Sequence, residues 1–170
     1  MFRIIPPADF VTSPWKNGGG VTHEIARDRP GEGWRWRLSI AEVASDGPFS
    51  LFQGYARILT VIEGAGLDLH SPDGTLAARP LQPLAFSGDL PIESRMVAGP
   101  IRDLNLIFDA SRIAGAVTVV QGPALIAPPP DLAGLLCLSG GVAIAGTPLA
   151  QGAFALGQLG QITLGTGAAA

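Results

Sequence analysis

Trp34-Arg35-Trp36-Arg37-Leu38-Ser39-Ile40-Ala41-Glu42-Val43 alternates with period two. Trp34, Trp36, Leu38 and Ile40 fall on one side, and Arg35, Arg37, Ser39 and Ala41 on the other. That is the spacing of a half-buried β-strand, because successive side chains of a strand point to opposite faces. Residues 55–63 repeat the pattern, with Ile58, Thr60 and Ile62 opposite Arg57, Leu59, Val61 and Glu63. So do residues 101–108, where Asp103 and Asn105 oppose Leu104, Leu106 and Phe108. Shorter apolar runs at 3–5, 21–27, 49–52, 67–69, 81–87, 92–97, 135–144, 153–156 and 161–164 read as further strands. Gly, Pro, Asp and Ser separate them, as in the polar turn expected at 28–33 and the hairpin turn at 71–74. The 23 glycines and 15 prolines argue against long helices. A helical turn is expected at most at 8–10. The pattern predicts an all-β sandwich or barrel.

The charge distribution divides the chain. After Arg112 the single charged side chain is Asp131. Pro128-Pro129-Pro130 can span a gap but cannot pair within a sheet. Residues 59–67 and 135–143 also resemble each other, each an apolar run leading into glycines. Two related halves are therefore expected, 1–112 and 113–170, meeting between residues 109 and 130. The uncharged stretch 132–170 is interrupted by Gly, Pro and Gln, so it reads as apolar β core rather than a membrane helix.

The net charge of −3 gives no electrostatic footprint for nucleic acid or an anionic membrane. Cys137 alone cannot form an internal disulfide, and residues 1–7 lack the long apolar segment of a signal peptide. A cytoplasmic protein is expected.

The densest cluster of unusual residues is Pro14-Trp15-Lys16-Asn17-Gly18-Gly19-Gly20-Val21-Thr22-His23-Glu24. Three glycines free the backbone just after an aromatic, a cation and an amide, and a strand leads away. Pro14 to Thr22 resembles the signature of the HutD/Ves family. Trp36-Arg37-Leu38-Ser39-Ile40-Ala41-Glu42-Val43, Asp46-Gly47-Pro48-Phe49-Ser50, Glu63-Gly64 and Arg102-Asp103-Leu104-Asn105 resemble it too, in the family's order. The resemblance covers residues 3 to 108. It implies a bicupin, two fused cupin-like β-barrels in one cytoplasmic chain. Its HutD branch is associated with histidine utilisation and with sensing an intermediate such as N-formylglutamate. Its Ves branch is associated with cold and other stress.

The chemistry-bearing residues are few. His23 and His70 lie in separate segments with no His-x-His pair, so no metal and no cofactor are expected. Cys137 lies in an apolar run where a thiol is structural. No Gly-x-Ser-x-Gly elbow and no phosphate loop is present. What remains is a polar set on the mixed faces of the strands. Lys16, Asn17, Arg37, Ser39, Arg57, Glu63, Asp103 and Asn105 are the candidate ligand-binding residues. Arg37 and Arg57 could hold a carboxylate by paired donors, Asp103 could orient an arginine, and Asn105 could read an amide. The competing reading leaves these faces solvated. Trp15 and Trp36 could wall the pocket or fill the core. Three functions follow. The first is binding of a small anionic metabolite in a regulatory role. The second is a metal-independent enzyme on a small acid, with Glu42, Glu63 or Asp103 as proton shuttle. The third is a scaffold that forms a homodimer through its apolar second half.

Overall fold

The computed structural model describes residues 1–29 and 33–170. Pro30 and Gly31 of the expected 28–33 turn lie outside the described residues. Strand β1 (Phe2–Ile5) and a 3-10 turn (Pro7–Asp9) lead into β2 (Val11–Pro14), β3 (Gly20–Arg27), β4 (Trp36–Val43) and β5 (Gly47–Pro48). Next come β6 (Ala56–Glu63), β7 (Leu67–Ser71), β8 (Gly74–Ala78), β9 (Leu84–Ser87), β10 (Glu93–Met96) and β11 (Ile101–Phe108). The chain ends in β12 (Ala124–Ile126), β13 (Gly134–Leu136), β14 (Val142–Ile144), β15 (Thr147–Leu149), β16 (Phe154–Gly157) and β17 (Ile162–Leu164). Among the described residues no helix is long and apolar enough to cross a membrane.

The chain folds into two compact units, Val11–Thr118 and a second made of Met1–Phe10 with Val119–Ala170. The sequence reading placed residues 1–10 in the first half. In the structure β1 runs antiparallel to β16, with Ile4 opposite Ala155 and Ile5 opposite Phe154. Four alternating residues announce a strand but carry no information about which edge they will pair with.

The Val11–Thr118 unit has a six-stranded sheet, β2-β3-β4-β11-β6-β9, and a four-stranded sheet, β5-β10-β7-β8. Its core takes Ala41, Val43, Leu59, Val61 and Ile101 from the first sheet and Leu67, Leu69 and Ala78 from the second. The other unit pairs β1-β16-β13 with β12-β17-β14-β15. Cys137 is fully buried in its core.

The two units share a topology. The order β5-β10-β7-β8 in one matches β12-β17-β14-β15 in the other, and β6 pairs with β9 as β13 pairs with β16. The sequence repeat marks equivalent places. In each unit a strand of one sheet (β6 or β13) passes through a glycine turn into the facing sheet (β7 or β14). This also corrects the single strand expected at 135–144. Ser139-Gly140-Gly141 breaks it, and Gly141 takes φ +88°, a conformation that suits glycine. The run 49–52 is likewise not a strand, and β2, β8, β12 and β15 had no clear signal in the alternation.

Candidate functional site

The site is built on β4, β11 and β6, the middle of the six-stranded sheet. Their registers set Arg37, Ile107 and Arg57 side by side, then Ser39, Asn105 and Leu59, then Ala41, Asp103 and Val61. Residues directly opposed in an antiparallel sheet share a face. The mixed faces of three strands therefore become one surface, polar at one end and apolar toward the core. A cavity of about 600 Å³ opens over the polar end. Seven of the eight expected residues line it: Lys16, Asn17, Arg37, Ser39, Arg57, Asp103 and Asn105.

The glycine loop shapes one rim. Gly18 has φ +73°, and its amide donates to the Trp15 carbonyl at 3.0 Å. A Cβ on Gly20 would sit 2.3 Å from the Glu42 carbonyl oxygen and 3.0 Å from the Trp15 ring, so glycine is what lets strand and ring approach this closely. Trp15 Nε1 donates to Thr22 Oγ1 at 2.8 Å. Trp15 thus does both jobs left open by the sequence, packing on the core and lining the cavity. Trp36 is not among the lining residues.

Arg57 is the most constrained member. It is 7% exposed, and its Nη2 donates to Asn105 Oδ1 at 2.9 Å and its Nη1 to the Ser50 carbonyl at 3.3 Å. Its guanidinium carbon lies 5.1 Å from the Phe49 ring centre, 5.4 Å from Phe52 and 5.1 Å from Phe86, an arrangement that favours a cation. Burial pulls its pKa down to about 10, against the attraction of Asp103 and with a smaller push from Arg37. Its Nε is buried without a hydrogen-bond partner among the described residues.

Arg37 is partly neutralised. Its Nε lies 2.9 Å from Glu24 Oε2 but is not aimed at it, so the pair acts through charge more than as a hydrogen bond. Glu24 also accepts from Arg27 Nε at 2.6 Å. Burial raises the Glu24 pKa, but Arg27 and Arg37 outweigh it and hold the carboxyl below its ordinary value. Lys16 and Asn17 are exposed on the loop, with Asn17 Oδ1 accepting the Gly19 amide at 3.0 Å.

Asp103 is 1% exposed. Asn105 Nδ2 donates to its Oδ1, whereas Oδ2 is buried without a partner among the described residues. Burial drives its pKa up to about 7, opposed by the Arg57 charge and the Asn105 bond. One amide thus bridges a buried carboxyl and a buried guanidinium.

Glu63 stands apart. A bulge between Arg102 and Asp103 of β11 pairs Arg102 with Glu63 and Asp103 with Val61, skipping Ile62. The extra residue reverses the alternation. Glu63 therefore joins Arg102 and Glu42 on the opposite face, with Arg102 Nη1 3.4 Å from Glu63 Oε2 and Arg102 Nε 3.7 Å from Glu42 Oε1. Of the three carboxylates considered as proton shuttles, Asp103 alone lines the cavity. His23 bonds Thr12 Oγ1 at 2.9 Å and Glu42 Oε1 at 3.0 Å, and His70 bonds Thr75 Oγ1 at 2.9 Å, on strands of different sheets. Two parts of the site had no sequence signal that could be used. The three Phe rings around Arg57 come from a loop and from β9, and Glu24 reaches Arg37 only because Glu24 and Ser39 are opposed across β3 and β4.

Two sheets per unit, with one strand order repeated in the four-stranded sheets, define the class: an all-β protein of two cupin-like sandwich units, with a cation-rich cavity in one of them. The HutD family profile matches residues 7–169, and the chain belongs to that family. The structure of HutD from Pseudomonas fluorescens SBW25, in a formate condition, is 36% identical with a TM-score of 0.86, over 99% of this chain and 95% of that one. A conserved protein of unknown function from Pseudomonas aeruginosa PAO1 is 34% identical with a TM-score of 0.88, over 99% of this chain and 95% of that one. An uncharacterized 21.2 kDa protein in the hutC 3′ region of Pseudomonas putida is 46% identical over 116 residues. That match takes in 65% of this chain but only 60% of the relative's length.

Proposed function

We propose that this chain binds a small anionic metabolite of the chemistry of N-formylglutamate, in a sensing or regulatory role in histidine utilisation. The observation that carries the reading is Arg57. A guanidinium 93% withdrawn from water, bonded to neutral oxygens, with one N–H unpartnered and its counter-charge Asp103 held off behind the Asn105 amide, is a costly group to bury without a nearer anion. Arg37 and Lys16 line the same cavity, so two further cations can meet a second carboxylate. Ser39 and Asn105 supply hydrogen-bonding groups for an amide or formyl oxygen. Membership of the HutD family and the hutC-region relative support the pathway assignment.

Calorimetry with N-formyl-L-glutamate tests this directly. Arg57→Met keeps an unbranched apolar stem among the three rings and removes the charge. Losing a buried charge-assisted contact costs about 2–5 kcal/mol, so affinity should fall by roughly 30-fold or more. Arg57→Met and Arg37→Ala variants that fold and bind as tightly as the parent would sink the reading. The enzyme alternative draws on one feature, the Asp103 carboxyl poised near neutrality. It requires formate or glutamate to accumulate from N-formyl-L-glutamate at catalytic protein concentrations, and stable ligand under those conditions removes it.

A further inference from the structure

We infer that anion binding in this cavity draws one proton onto Asp103, with the Asn105 amide carrying the linkage; the inference rests on the binding reading above. Asn105 faces both partners at once. Its Oδ1 accepts from Arg57 Nη2 at 2.9 Å, and its Nδ2 donates to Asp103 Oδ1. Among the described residues Arg57 makes no direct carboxylate contact, so the ionised Asp103 is its counter-charge across one side chain. A ligand carboxylate on the guanidinium becomes the nearer counter-charge. Two anions would then flank one cation in a site that excludes water, where like charges repel far more strongly than in solvent. Protonating Asp103 relieves this. The proton comes from the buffer acid, leaves its conjugate base in solution, and settles on the unpartnered Oδ2. A wall group that could only accept then becomes a donor, which a carboxylate or formyl oxygen can use.

The surroundings leave Asp103 as the group that responds. On β4 the neighbours are Ala41 and Ser39, with Arg37 beyond them, itself paired to Glu24 of β3. On β6 they are Val61, Leu59 and Arg57. Lys16 reaches the cavity from the loop. The opposing sheet turns Leu69 and Ser94 inward, while its charged positions Asp68, His70, Glu93 and Arg95 alternate to the other face. Glu24 is held ionised by its two arginines. Burial already places Asp103 at about 7 in the free protein, so any upward push changes its charge near neutral pH.

The test is calorimetry of the full chain in HEPES and in Tris, whose ionisation enthalpies differ, with N-formyl-L-glutamate and with glutarate. The expected uptake is a fraction of a proton per ligand at pH 7, at most about one half, with apparent affinity falling as pH rises from 7 to 8 by less than about tenfold. In Asp103→Asn the buffer dependence and the pH dependence should both vanish while binding persists. Should that variant fail to fold, the buffer dependence of the parent decides alone. Binding with the same heat in both buffers overturns the proton linkage and leaves the binding site intact. Linkage that survives in Asp103→Asn overturns the assignment to Asp103. No binding of either acid removes the binding reading and this inference together.

Discussion

Replacing Asp103 by Asn should make the Val11–Thr118 unit more stable at neutral pH, and the gain should shrink in acid. The carboxyl titrates near 3.8 when unfolded and at about 7 when buried in the fold. Because the folded value is raised, its contribution is fully present below pH 4 and lost as pH rises through 7. Each pH unit between the two values costs about 1.4 kcal/mol, so the full loss is about 4 kcal/mol and the part falling between pH 5 and pH 8 is about 2–3 kcal/mol. Asn has the same shape and no charge to bury. The variant should therefore gain about 2–3 kcal/mol on the parent over that interval, or about 5–10 °C in melting temperature. Glu24 and Asp28 act in the opposite sense. Burial raises both, but their arginine partners outweigh it, bringing Asp28 to about 2, so their contribution is lost as pH falls below about 4, outside the interval. Other titrations cancel between parent and variant. Urea unfolding followed by tryptophan fluorescence is the assay, because Trp15, Trp34 and Trp36 all lie in this unit. Parallel stability curves for parent and variant from pH 5 to pH 8 would show that Asp103 ionises as an ordinary carboxylate, and the burial argument would fall.

Two further outcomes follow from the same geometry. Gly20→Ala forces a methyl to 2.3 Å from the Glu42 carbonyl, where backbone on both sides cannot yield, and should cost about 1–3 kcal/mol by urea unfolding; an unchanged midpoint would contradict the close approach of Trp15. Glu63→Gln should leave N-formyl-L-glutamate binding unchanged in calorimetry, since the side chain is 68% exposed beside Arg102 and such pairs contribute about 0–1 kcal/mol; a large loss of affinity would place Glu63 in the site after all.

The site was legible where it depended on alternation. Arg37, Ser39, Arg57, Asp103 and Asn105 each sit on the mixed face of a strand with clean period two, and an antiparallel sheet in register turns such faces into one wall. Glu63 falls on the other face for the same reason that the others share one. A single extra residue at Ile62 reverses the parity, and nothing in the run Leu59-Thr60-Val61-Ile62-Glu63 announces it. The Phe49-Ser50-Leu51-Phe52 run misled differently. Its apolar residues suggested a strand, whereas Phe49 and Phe52 pack their rings directly on the Arg57 guanidinium.

By itself the sequence determined the all-β class, the duplicated strand–glycine–strand segments, and the family. These rest on local periodicity, glycine and proline placement, and motif order, all of which are properties of neighbouring residues. Tertiary structure alone decided that β1 closes onto β16, that one amide joins Asp103 to Arg57, and that three rings from two separate segments surround a single cation. Each of these depends on at least one contact between residues far apart in the chain, Ile4 with Ala155, Arg57 with Asn105 and Arg57 with Phe86. Their existence depends on which edges pair and in what register, and a bulge of one residue is enough to change the answer.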